Sequence, residues 1–446
     1  MSFPITDSSP VRFAAVLPDR ADVVVIGGGV IGVMTAWFLR EKGLSVVVCE
    51  KGRIAGEQSG RNWGWVRQQG RDPSELPIMV ESLSIWKRLA AELGDGLGFR
   101  QTGVLYLAKT DREIDGFEAW TEHARAHRLD TRLLTASETA ALLKGAAAPW
   151  KGGLLTASDA RAEPWVAVPA LAVAAEAKGV VVREACAVRG LDLAAGKVVG
   201  VVTEAGRISC DHVVVAAGAW SRLFLGRHGV DIPQLSVLAS VAATEPMPEI
   251  FAGNAADDDF AFRRRADGGY SIAPGGEHDF FVGRNAFASL KSYLTVLKKD
   301  FRSTKFRLAA PKGFPDAWGT QRRWSLDGIS PFERQRILNP APNRQTIDKV
   351  QDSFAKAFPS LGRPKLKSAW AGMIDSLPDV VPIVDHAPIP GLTIATGMSG
   401  HGFGIGPGMG RVVADLVAGQ STGHDLTRFR LSRFSDGSPI RPGPSL

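Results

Sequence analysis

One stretch constrains this chain more than any other: residues 22–50 read D-V-V-V-I-G-G-G-V-I-G-V-M-T-A-W-F-L-R-E-K-G-L-S-V-V-V-C-E. Its β-branched start predicts a buried strand, Val23–Ile26, and the apolar run that follows predicts a helix, Ile31–Lys42. A second strand is predicted at Ser45–Cys49, and Glu50 ends it. A strand, a helix and a second strand in this order are typical of a parallel sheet in an α/β protein.

A glycine turn joins the first strand to the helix. Gly27, Gly29 and Gly32 stand in G-x-G-x-x-G spacing. The first glycine allows a tight turn, the second lets the backbone approach a pyrophosphate, and the third lets the helix pack on the strand. Glu50 follows about 20 residues later, where an acid binds the ribose hydroxyls of an ADP group. The stretch therefore predicts dinucleotide binding, and a glycine-rich turn between buried elements is the alternative.

Residues 23–39 carry no charge, so a membrane span has to be considered. The run is short for a span and contains four glycines. It also lies between Asp22 and the charged triplet Arg40-Glu41-Lys42. We therefore expect no membrane span.

Composition narrows the class of protein further. The 446 residues are enough for two or three domains, and the hydrophobic fraction of 45% is ordinary for a globular enzyme. The net charge of +7 is dispersed, which argues against nucleic acid and favours a small anionic substrate, with a solvated basic surface as the alternative. No His/Cys cluster suggests a metal. The three cysteines, Cys49, Cys186 and Cys210, favour free thiols and a cytoplasmic protein.

Three further glycine-containing motifs lie along the chain. They are S-G-R-N at residues 59–62, V-V-V-A-A-G-A-W-S at residues 213–221 and T-G-M-S-G-H-G-F at residues 396–403. The first lies in a polar loop that is too long for a mere connector, and long structured loops usually carry function. In the second, the small residues that follow an apolar strand would let the backbone lie against a cofactor.

The secondary structure around these motifs can also be predicted. A strand is expected at Ile208–Ala216 and a helix at Ala219–His228. A strand, a glycine-dense loop and a helix are expected within Leu392–Gly419. Between Pro233 and Trp324, strands separated by turns predict an antiparallel sheet, and hence a second domain inserted into the first.

Together, and in this order, the glycine turn with Glu50 and the three motifs resemble the D-amino-acid oxidase superfamily of FAD enzymes. Within it, the chain is most similar to the group of sarcosine oxidase, dimethylglycine dehydrogenase and iminodiacetate oxidase. The resemblance implies an α/β fold, α+β overall, in which a Rossmann-type FAD/NAD(P)-binding domain carries an inserted, mostly antiparallel substrate-binding domain. The expected FAD-binding segments are 20–95, 165–232 and 365–430, the substrate-binding segments are 96–164 and 233–364, and the terminal segments are an extension at 1–19 and a tail at 435–446.

The resemblance also implies which residues contact FAD. Glu50 would hold the adenosine ribose, and Val188 would lie near the adenine. The backbone of Gly400 to Gly404 would face the flavin edge where negative charge grows on reduction. The complete set of expected FAD contacts is Gly27, Gly29, Val30, Ile31, Gly32, Glu50, Lys51, Ser59, Gly60, Arg61, Asn62, Trp63, Val188, Ala217, Gly218, Trp220, Gly400, His401, Gly402, Phe403 and Gly404.

For the substrate, the resemblance points to Arg67, just past the flavin loop, where relatives carry an arginine that binds the substrate carboxylate. A guanidinium offers a carboxylate paired donors in one plane. The alternative for Arg67 is an ion pair with a neighbouring acid such as Asp72. We therefore predict that Arg67 both binds substrate and takes part in catalysis.

Other substrate contacts are expected at Arg322, Trp324 and Gly404. Arg322 could bind a second carboxylate or lie on the surface. His401 is expected to act as an acid or base beside the flavin, or else to pack within its glycine loop.

Three departures from the family pattern bear on the chemistry. Sarcosine oxidases usually carry a carboxylate-binding lysine where this chain has Gly404, which would leave room for a larger substrate or for one that is bound elsewhere. The positions of covalent flavin attachment hold Trp63-Gly64 and Gly372 or Met373 instead of histidine or cysteine, so we expect non-covalent FAD. No lysine stands in Tyr270–Ala273, where oxidases of the group carry one, so the electron acceptor can be O2 or another molecule.

The function implied is oxidation of a C–N bond in an amino acid or secondary amine, such as an N-substituted glycine or an iminodiacetate-like amine. A hydride would pass to flavin N5, and the imine would then hydrolyse. Two rival functions remain: a 2-hydroxy-acid dehydrogenase of the same fold, for which His401 would be the base, and a non-catalytic flavin-binding subunit of a larger complex.

Overall fold

The structure is a computed structural model that describes residues 4–147, 150–300, 304–441 and 443, without the side chains of residues 296–300. Its strands are β1 Val23–Ile26, β2 Val46–Cys49, β3 Trp65–Val66, β4 Arg100–Gln101, β5 Val104–Ala108, β6 Thr131–Thr135, β7 Gly152–Thr156, β8 Ala160–Arg161, β9 Val181–Arg183, β10 Val188–Ala194, β11 Lys197–Thr203, β12 Gly206–Ser209, β13 His212–Val215, β14 Leu235–Thr244, β15 Asn254–Ala256, β16 Ala261–Arg264, β17 Tyr270–Ala273, β18 His278–Phe281, β19 Thr304–Arg307, β20 Leu366–Ser376, β21 Ile383–His386 and β22 Leu392–Thr396. Its α-helices are α1 Val30–Glu41, α2 Gln58–Arg61, α3 Leu76–Leu93, α4 Asp111–Ala126, α5 Ala136–Leu142, α6 Pro164–Ala177, α7 Ser221–Arg227, α8 Arg284–Asp300, α9 Pro331–Arg334, α10 Arg344–Ala357 and α11 Gly402–Val417.

A six-stranded sheet, in the order β21-β22-β13-β1-β2-β9, contains the glycine turn. All neighbours pair in parallel except β21, which is an antiparallel edge. The residues of β1 and β2 are all buried because helices cover a parallel sheet, and this explains their continuous apolar character. The strand, helix and strand predicted at the start of the chain are present as β1, α1 and β2, which confirms the α/β, Rossmann-type fold.

The prediction of one continuous strand at Ile208–Ala216 is wrong. The structure divides this region between two strands. The region consists of β12, which pairs with β11 in a separate antiparallel sheet, and β13, which pairs with β1. The break falls where the backbone N–H groups of Asp211 and His212 both donate to the carbonyl of Asp22. One apolar run therefore contains strands of two different sheets. The periodicity of the sequence does not show where one strand ends and the next begins.

A larger, mostly antiparallel sheet follows the order β19-β18-β14-β17-β16-β15-β5-β7-β6, with β20 also paired to β14. β14 and β20 are antiparallel along almost their whole length, and this pairing joins the middle of the chain to its C-terminal part. A capping box begins α5, where Glu138 and Thr135 bond to each other's backbone N–H.

The first described residues pack on the protein instead of extending from it. Phe13 is buried, and its backbone N–H and that of Arg12 donate to the Glu184 carboxylate. Ile5 is also buried, and its carbonyl accepts a hydrogen bond of 3.0 Å from Arg61. This segment therefore supports the loop that contains α2.

The strand, glycine-dense loop and helix predicted within Leu392–Gly419 are present in that order, as β22, residues 397–401 and α11, but the loop is shorter than the run of glycines. Residues from Gly402 onward form α11, which packs against α1 and α3. A Cβ added at Gly410 would lie 2.5 Å from the Cβ of Met34, so only glycine permits this approach. Close helix packing here outweighs the low helix propensity of glycine. Within the described ranges, no helix is long and apolar enough to cross a membrane.

Candidate functional site

The carboxyl ends of the parallel strands open onto a cavity of about 890 Å³. Residues at or just beyond the ends of β1, β2, β13 and β22 line one side of it, which is where ligands bind in open α/β sheets. The larger sheet forms another side through β5, β7, β14 and β20. The cavity therefore lies between the two sheets.

The glycine turn is shaped by close backbone contacts. Gly27 has φ of +115°, and an added Cβ would lie 2.4 Å from the carbonyl oxygen of Ala216. A Cβ at Gly32 would lie 2.0 Å from the Gly27 carbonyl oxygen, so this glycine serves the packing of α1 and does not line the cavity. These two positions require glycine for different reasons, as the sequence predicted.

Glu50 organises the backbone around the turn. Its two carboxylate oxygens accept hydrogen bonds of 2.7 Å from the N–H groups of Gly28 and Gly52. Burial raises the pKa of this carboxyl, and Lys51 and the two backbone bonds oppose the rise. Glu50 also lines the cavity, at the end of β2. Its position therefore fits an acid that accepts from ribose hydroxyls while it holds the glycine turn.

The N-terminus of α1 faces the cavity without a capping side chain, because its N-cap residue is Gly29. The N–H of Val30 donates to Ser59 Oγ at 2.9 Å, and Ser59 also lines the cavity. A helix start whose N-cap residue has no capping side chain attracts phosphate, because the helix dipole and the N–H groups of the first turn favour an anion. Gly60, in contrast, packs against the Ala55 carbonyl and does not line the cavity.

Arg61 lines the cavity, but its guanidinium is used within the protein. It donates to the carbonyls of Gly56, Ala371 and Ile5 and to Asn339 Oδ1. Arg61 therefore joins the loop before α2 to β20 and to the first described residues.

Two of the predicted cofactor residues, Lys51 and Trp220, form a second group around Glu57. Lys51 Nζ lies 2.7 Å from Glu57 Oε1 and 4.3 Å from the centre of the Trp220 ring. Trp220 Nε1 donates to Glu57 at 3.0 Å. The remaining predicted cofactor residues on this side of the cavity are Asn62, Trp63, Val188, Ala217 and Gly218.

The N-terminus of α11 is a second uncapped helix start on the cavity. Gly400 has φ of +79°, and all residues from Gly400 to Gly404 line the cavity. A Cβ at Gly404 would lie 3.1 Å from the carbonyl oxygen of Trp65, so β3 already occupies that side. The absence of a side chain at Gly404 therefore does not by itself enlarge the cavity.

These features fit a dinucleotide with a flavin. Two helix N-termini suit its negatively charged parts, a carboxylate ends β2, and the glycines permit close backbone approach. The predicted cofactor residues come together along one cavity, apart from Gly32 and Gly60, which pack behind it.

Arg67 lines the same cavity beyond the predicted flavin loop. Its Nη1 donates to the Gln69 carbonyl, and its guanidinium carbon lies 5.7 Å from the centre of the Tyr106 ring. Among the described residues, no carboxylate lies within 4.0 Å of it. The alternative partner, Asp72, instead pairs with Arg428 at 3.2 Å. Arg67 thus keeps donors available to a ligand.

The loop that presents Arg67 is held by a buried carboxylate. Asp159 accepts from the backbone N–H groups of Gln68 at 2.7 Å and Gln69 at 3.2 Å. Burial raises the pKa of Asp159 to about 6, and the bonds from Gln68 and Gln69 and the charge of Arg67 oppose the rise. No sequence pattern indicated this residue, because a single aspartate in a loop is common.

His401 lines the cavity beside two buried charged residues that the sequence did not single out. Its Nδ1 lies 3.4 Å from Glu75 Oε2, and Arg71 Nη1 lies 3.6 Å from the same oxygen. Arg71 Nη2 also donates to the His401 carbonyl at 3.1 Å. Burial lowers the pKa of His401, and Glu75 acts in the opposite direction.

Arg322 and Trp324 are not brought to this site. Arg322 bonds to Asn285 Oδ1 at 3.1 Å and lies 3.4 Å from Asp316. Trp324 is buried in a separate core, with its Nε1 donating to the Arg189 carbonyl at 2.8 Å. Neither residue lines the cavity, so the structure offers no support for their predicted contact with substrate.

The structure adds one wall that the sequence did not indicate. Residues 113, 116, 117, 120 and 123 of α4 all line the cavity, which is one face of a helix. Rings then continue along the wall: Tyr106 is 6.2 Å from Phe117 and 6.3 Å from Trp65, which is 5.4 Å from Trp63. Helical spacing alone does not show whether such a face meets the core or a cavity.

Comparisons with known proteins agree with this geometry. A model of the family described as FAD dependent oxidoreductase matches residues 22–416. The chain is similar to L-amino acid deaminase from Proteus myxofaciens, solved with anthranilate, at 31% identity and a TM-score of 0.91, covering 96% of this chain and 97% of that chain. It is 25% identical to sarcosine oxidase subunit beta of Rhizobium meliloti, over 93% of this chain and 89% of the relative. It is 23% identical to mitochondrial dimethylglycine dehydrogenase of Mus musculus, over 93% of this chain and 44% of the relative.

Proposed function

Because the chain belongs to the family of FAD-dependent oxidoreductases, we propose that it oxidises the C–N bond of an amino acid or of an N-substituted glycine. The family assignment agrees with the resemblance of the four motifs. The choice of an amine that carries a carboxylate depends on what the cavity offers beyond the cofactor residues.

In this proposal, FAD lies along the glycine turn, Glu50, the loop around Ser59 and the start of α11. Bound there, FAD supplies the capacity to take two electrons from the substrate. The protein supplies binding and orientation. Residues 20–95, 165–232 and 365–430 would hold FAD, and residues 96–164 and 233–364 would form most of the substrate wall.

The proposal rests on the position of Arg67 in the cavity. Arg67 is a guanidinium on the cavity wall with free donors and no carboxylate partner among the described residues. A planar cation of this kind binds a carboxylate through paired hydrogen bonds and fixes its orientation. Arg67 would thus hold the substrate carboxylate while the carbon to be oxidised faces the cofactor.

The aromatic wall favours a substrate with an apolar side chain. Trp65, Tyr106, Phe117 and Trp120 all line the cavity on the side of Arg67. A pocket of large rings with few polar groups binds apolar groups by removing them from water. The similar Proteus deaminase was solved with anthranilate, an aromatic carboxylate, which supports this class of ligand.

The test is an anaerobic titration of the yellow holoprotein with a panel of amines. The panel contains amino acids with small and with apolar side chains, N-methylglycine and N,N-dimethylglycine, together with the same amines lacking a carboxylate. We expect the flavin absorbance to bleach with carboxylated amines, and most readily with an apolar side chain. Bleaching confined to amines without a carboxylate would exclude the proposed role of Arg67.

A second function stays in view because His401 lines the cavity with a carboxylate behind it. Such a pair could take the proton of an alcohol, as a 2-hydroxy-acid dehydrogenase requires. The panel should therefore include 2-hydroxy acids with the same side chains as the amino acids. Bleaching by the hydroxy acids alone would favour this rival, and no bleaching by any compound would favour a non-catalytic subunit.

A further inference from the structure

Tyr106 places a hydroxyl on the cavity wall that the protein itself does not use. The chain has three tyrosines. The Tyr270 hydroxyl donates to the Phe251 carbonyl at 3.1 Å. The Tyr293 hydroxyl donates to the Ser376 carbonyl at 2.7 Å. The Tyr106 hydroxyl makes no hydrogen bond with any described residue, and its oxygen keeps accessible surface. Because polar groups inside proteins are almost always hydrogen-bonded, this hydroxyl is available to a ligand.

The larger sheet directs the Tyr106 side chain to the cavity. Ala256 and Leu154 stand opposite Tyr106 on the two neighbouring strands, β15 and β7. Residues directly opposite each other share one face of a sheet, and all three of these residues line the cavity. The Tyr106 ring lies 6.2 Å from that of Phe117 and 6.3 Å from that of Trp65. The hydroxyl is therefore presented by a packed ring on a central strand.

A small space separates this hydroxyl from Arg67, and Gly70 lies beside both groups. A Cβ added at Gly70 would lie 3.1 Å from the Tyr106 hydroxyl oxygen and 3.2 Å from Arg67 Nη1. Gly70 has φ of +70°, and a side chain there would fill the space. Arg67, Gly70 and Tyr106 all line the cavity. We call the space bordered by these three residues the Gly70 cleft.

We propose that the carboxylate of the substrate binds at the Gly70 cleft, where the Tyr106 hydroxyl donates to one of its oxygens and the Arg67 guanidinium binds the other. The inference rests on the proposed function, because it names a second residue that recognises the carboxylate of the amine. Arg67 Nη1 already donates to the Gln69 carbonyl. A carboxylate accepts about four hydrogen bonds, so a second donor beside the guanidinium helps to saturate it.

The charges around Tyr106 keep its hydroxyl a donor. Arg67, Arg71 and Asp159 are the charged groups that act on it. Burial raises the pKa of Tyr106, and the two arginines oppose the rise. The hydroxyl therefore carries its proton at neutral pH. A hydrogen bond to an ionised acceptor is stronger than one to a neutral acceptor, so the cleft should prefer a carboxylate to a neutral group of the same shape.

The experiment measures the binding of benzoate and of benzamide to the holoprotein, followed by the change in the flavin spectrum. The two probes share a ring and a shape, but only benzoate is charged. Binding is measured without turnover. The variants are Tyr106→Phe, which removes the hydroxyl and keeps the ring, Arg67→Ala, and the two combined. The matched control is Tyr293→Phe, which also loses one hydroxyl but lies outside the cavity.

We expect Tyr106→Phe to weaken benzoate binding about tenfold and benzamide binding less than about threefold, since the bond to the charged group is the stronger. In the Arg67→Ala background, Tyr106→Phe should cost less than about tenfold, because two residues that hold one carboxylate are not independent. With a carboxylated amine, Tyr106→Phe should raise the concentration that gives half-maximal flavin reduction about tenfold. Tyr293→Phe should match wild type, and FAD content should be normal throughout.

Three outcomes would overturn the inference. One is wild-type protein that binds benzoate no more tightly than benzamide. Another is a Tyr106→Phe variant that binds benzoate like wild type, or that loses the same factor for both probes, since the loss would then come from the ring wall. The third is an undiminished effect of Tyr106→Phe in the Arg67→Ala background, which would separate the two residues. Failure of every amine to reduce the flavin would instead reject the proposed function, while the binding of benzoate would still report on the cleft.

Discussion

At the scale of single residues, Arg67 supports the sharpest prediction about activity. Arg67→Ala should lower kcat/KM for a carboxylated amine by about 2–4 kcal/mol, and Arg67→Lys by less, because lysine keeps the charge but not the paired donors. Binding of the same carboxylated amine, followed by the flavin spectrum, should weaken in parallel. Arg322→Ala is the control, because Arg322 lies outside the cavity. If Arg67→Ala has near wild-type kinetics, then Arg67 has a structural role and does not bind the substrate carboxylate.

Glu50 should set the affinity for FAD. Its carboxylate accepts from Gly28 and Gly52 while it lines the cavity. Glu50→Gln keeps the shape but replaces one acceptor by a donor and removes the charge, so FAD binding should weaken by about 1–2 kcal/mol. Reconstitution of the apoprotein with FAD, followed by flavin fluorescence, measures the change. Equal affinity in both proteins would show that the ribose is held elsewhere.

Asp159 should make stability depend on pH. Burial raises its pKa from 3.8 to about 6 in the folded protein, so the folded state binds this proton more tightly than the unfolded chain. The resulting stabilisation is complete below pH 3.8 and is lost as the pH rises through about 6, a change of roughly 3 kcal/mol. The free energy of unfolding of wild type minus that of Asp159→Asn should therefore fall across this window. A difference that does not vary with pH contradicts the raised pKa.

At the scale of elements, the glycines of α11 support a prediction about stability. A Cβ at Gly410 would lie 2.5 Å from Met34 Cβ, so Gly410→Ala should push α11 away from α1. We expect a loss of about 1–3 kcal/mol, seen as a lower Tm. Gly226→Ala is the control: it lies within α7 with no atom within 4 Å of an added Cβ, and should be neutral or stabilising. An unchanged Tm for Gly410→Ala would show that the two helices can separate.

The same elements show how far sequence can predict this fold. β1, α1 and β2 were predictable because their signal is local: β-branched strands, a glycine turn and an apolar run long enough for a helix. The division of residues 208–216 between β12 and β13 and the helical state of the glycine-dense stretch were not, since both depend on packing against distant segments. The contact of Glu75 with His401 joins positions 326 residues apart and leaves no periodic pattern in the sequence.

At the scale of the whole molecule, we expect FAD to be bound non-covalently and to be removable from the protein. The positions at which relatives attach flavin covalently hold no cysteine or histidine here, so acid precipitation should release the flavin into the supernatant. Removal of FAD should also lower the Tm, because a ligand that binds only the folded state stabilises it. Flavin that stays in the pellet would contradict the prediction and direct attention to Cys49, His123 and His401, which line the cavity.

The path of the last described residues matters for anyone who purifies this protein. Arg428 and Gly443 line the cavity. Arg428 is tied to Asp72 and to the Arg441 carbonyl, and the Gly443 N–H donates to the Asp379 carbonyl at 2.9 Å. Gly443 is followed by only three more residues in the sequence. A tag at that end therefore follows a described residue that lines the cavity, and kinetic work calls for a tag that is cleaved before any assay.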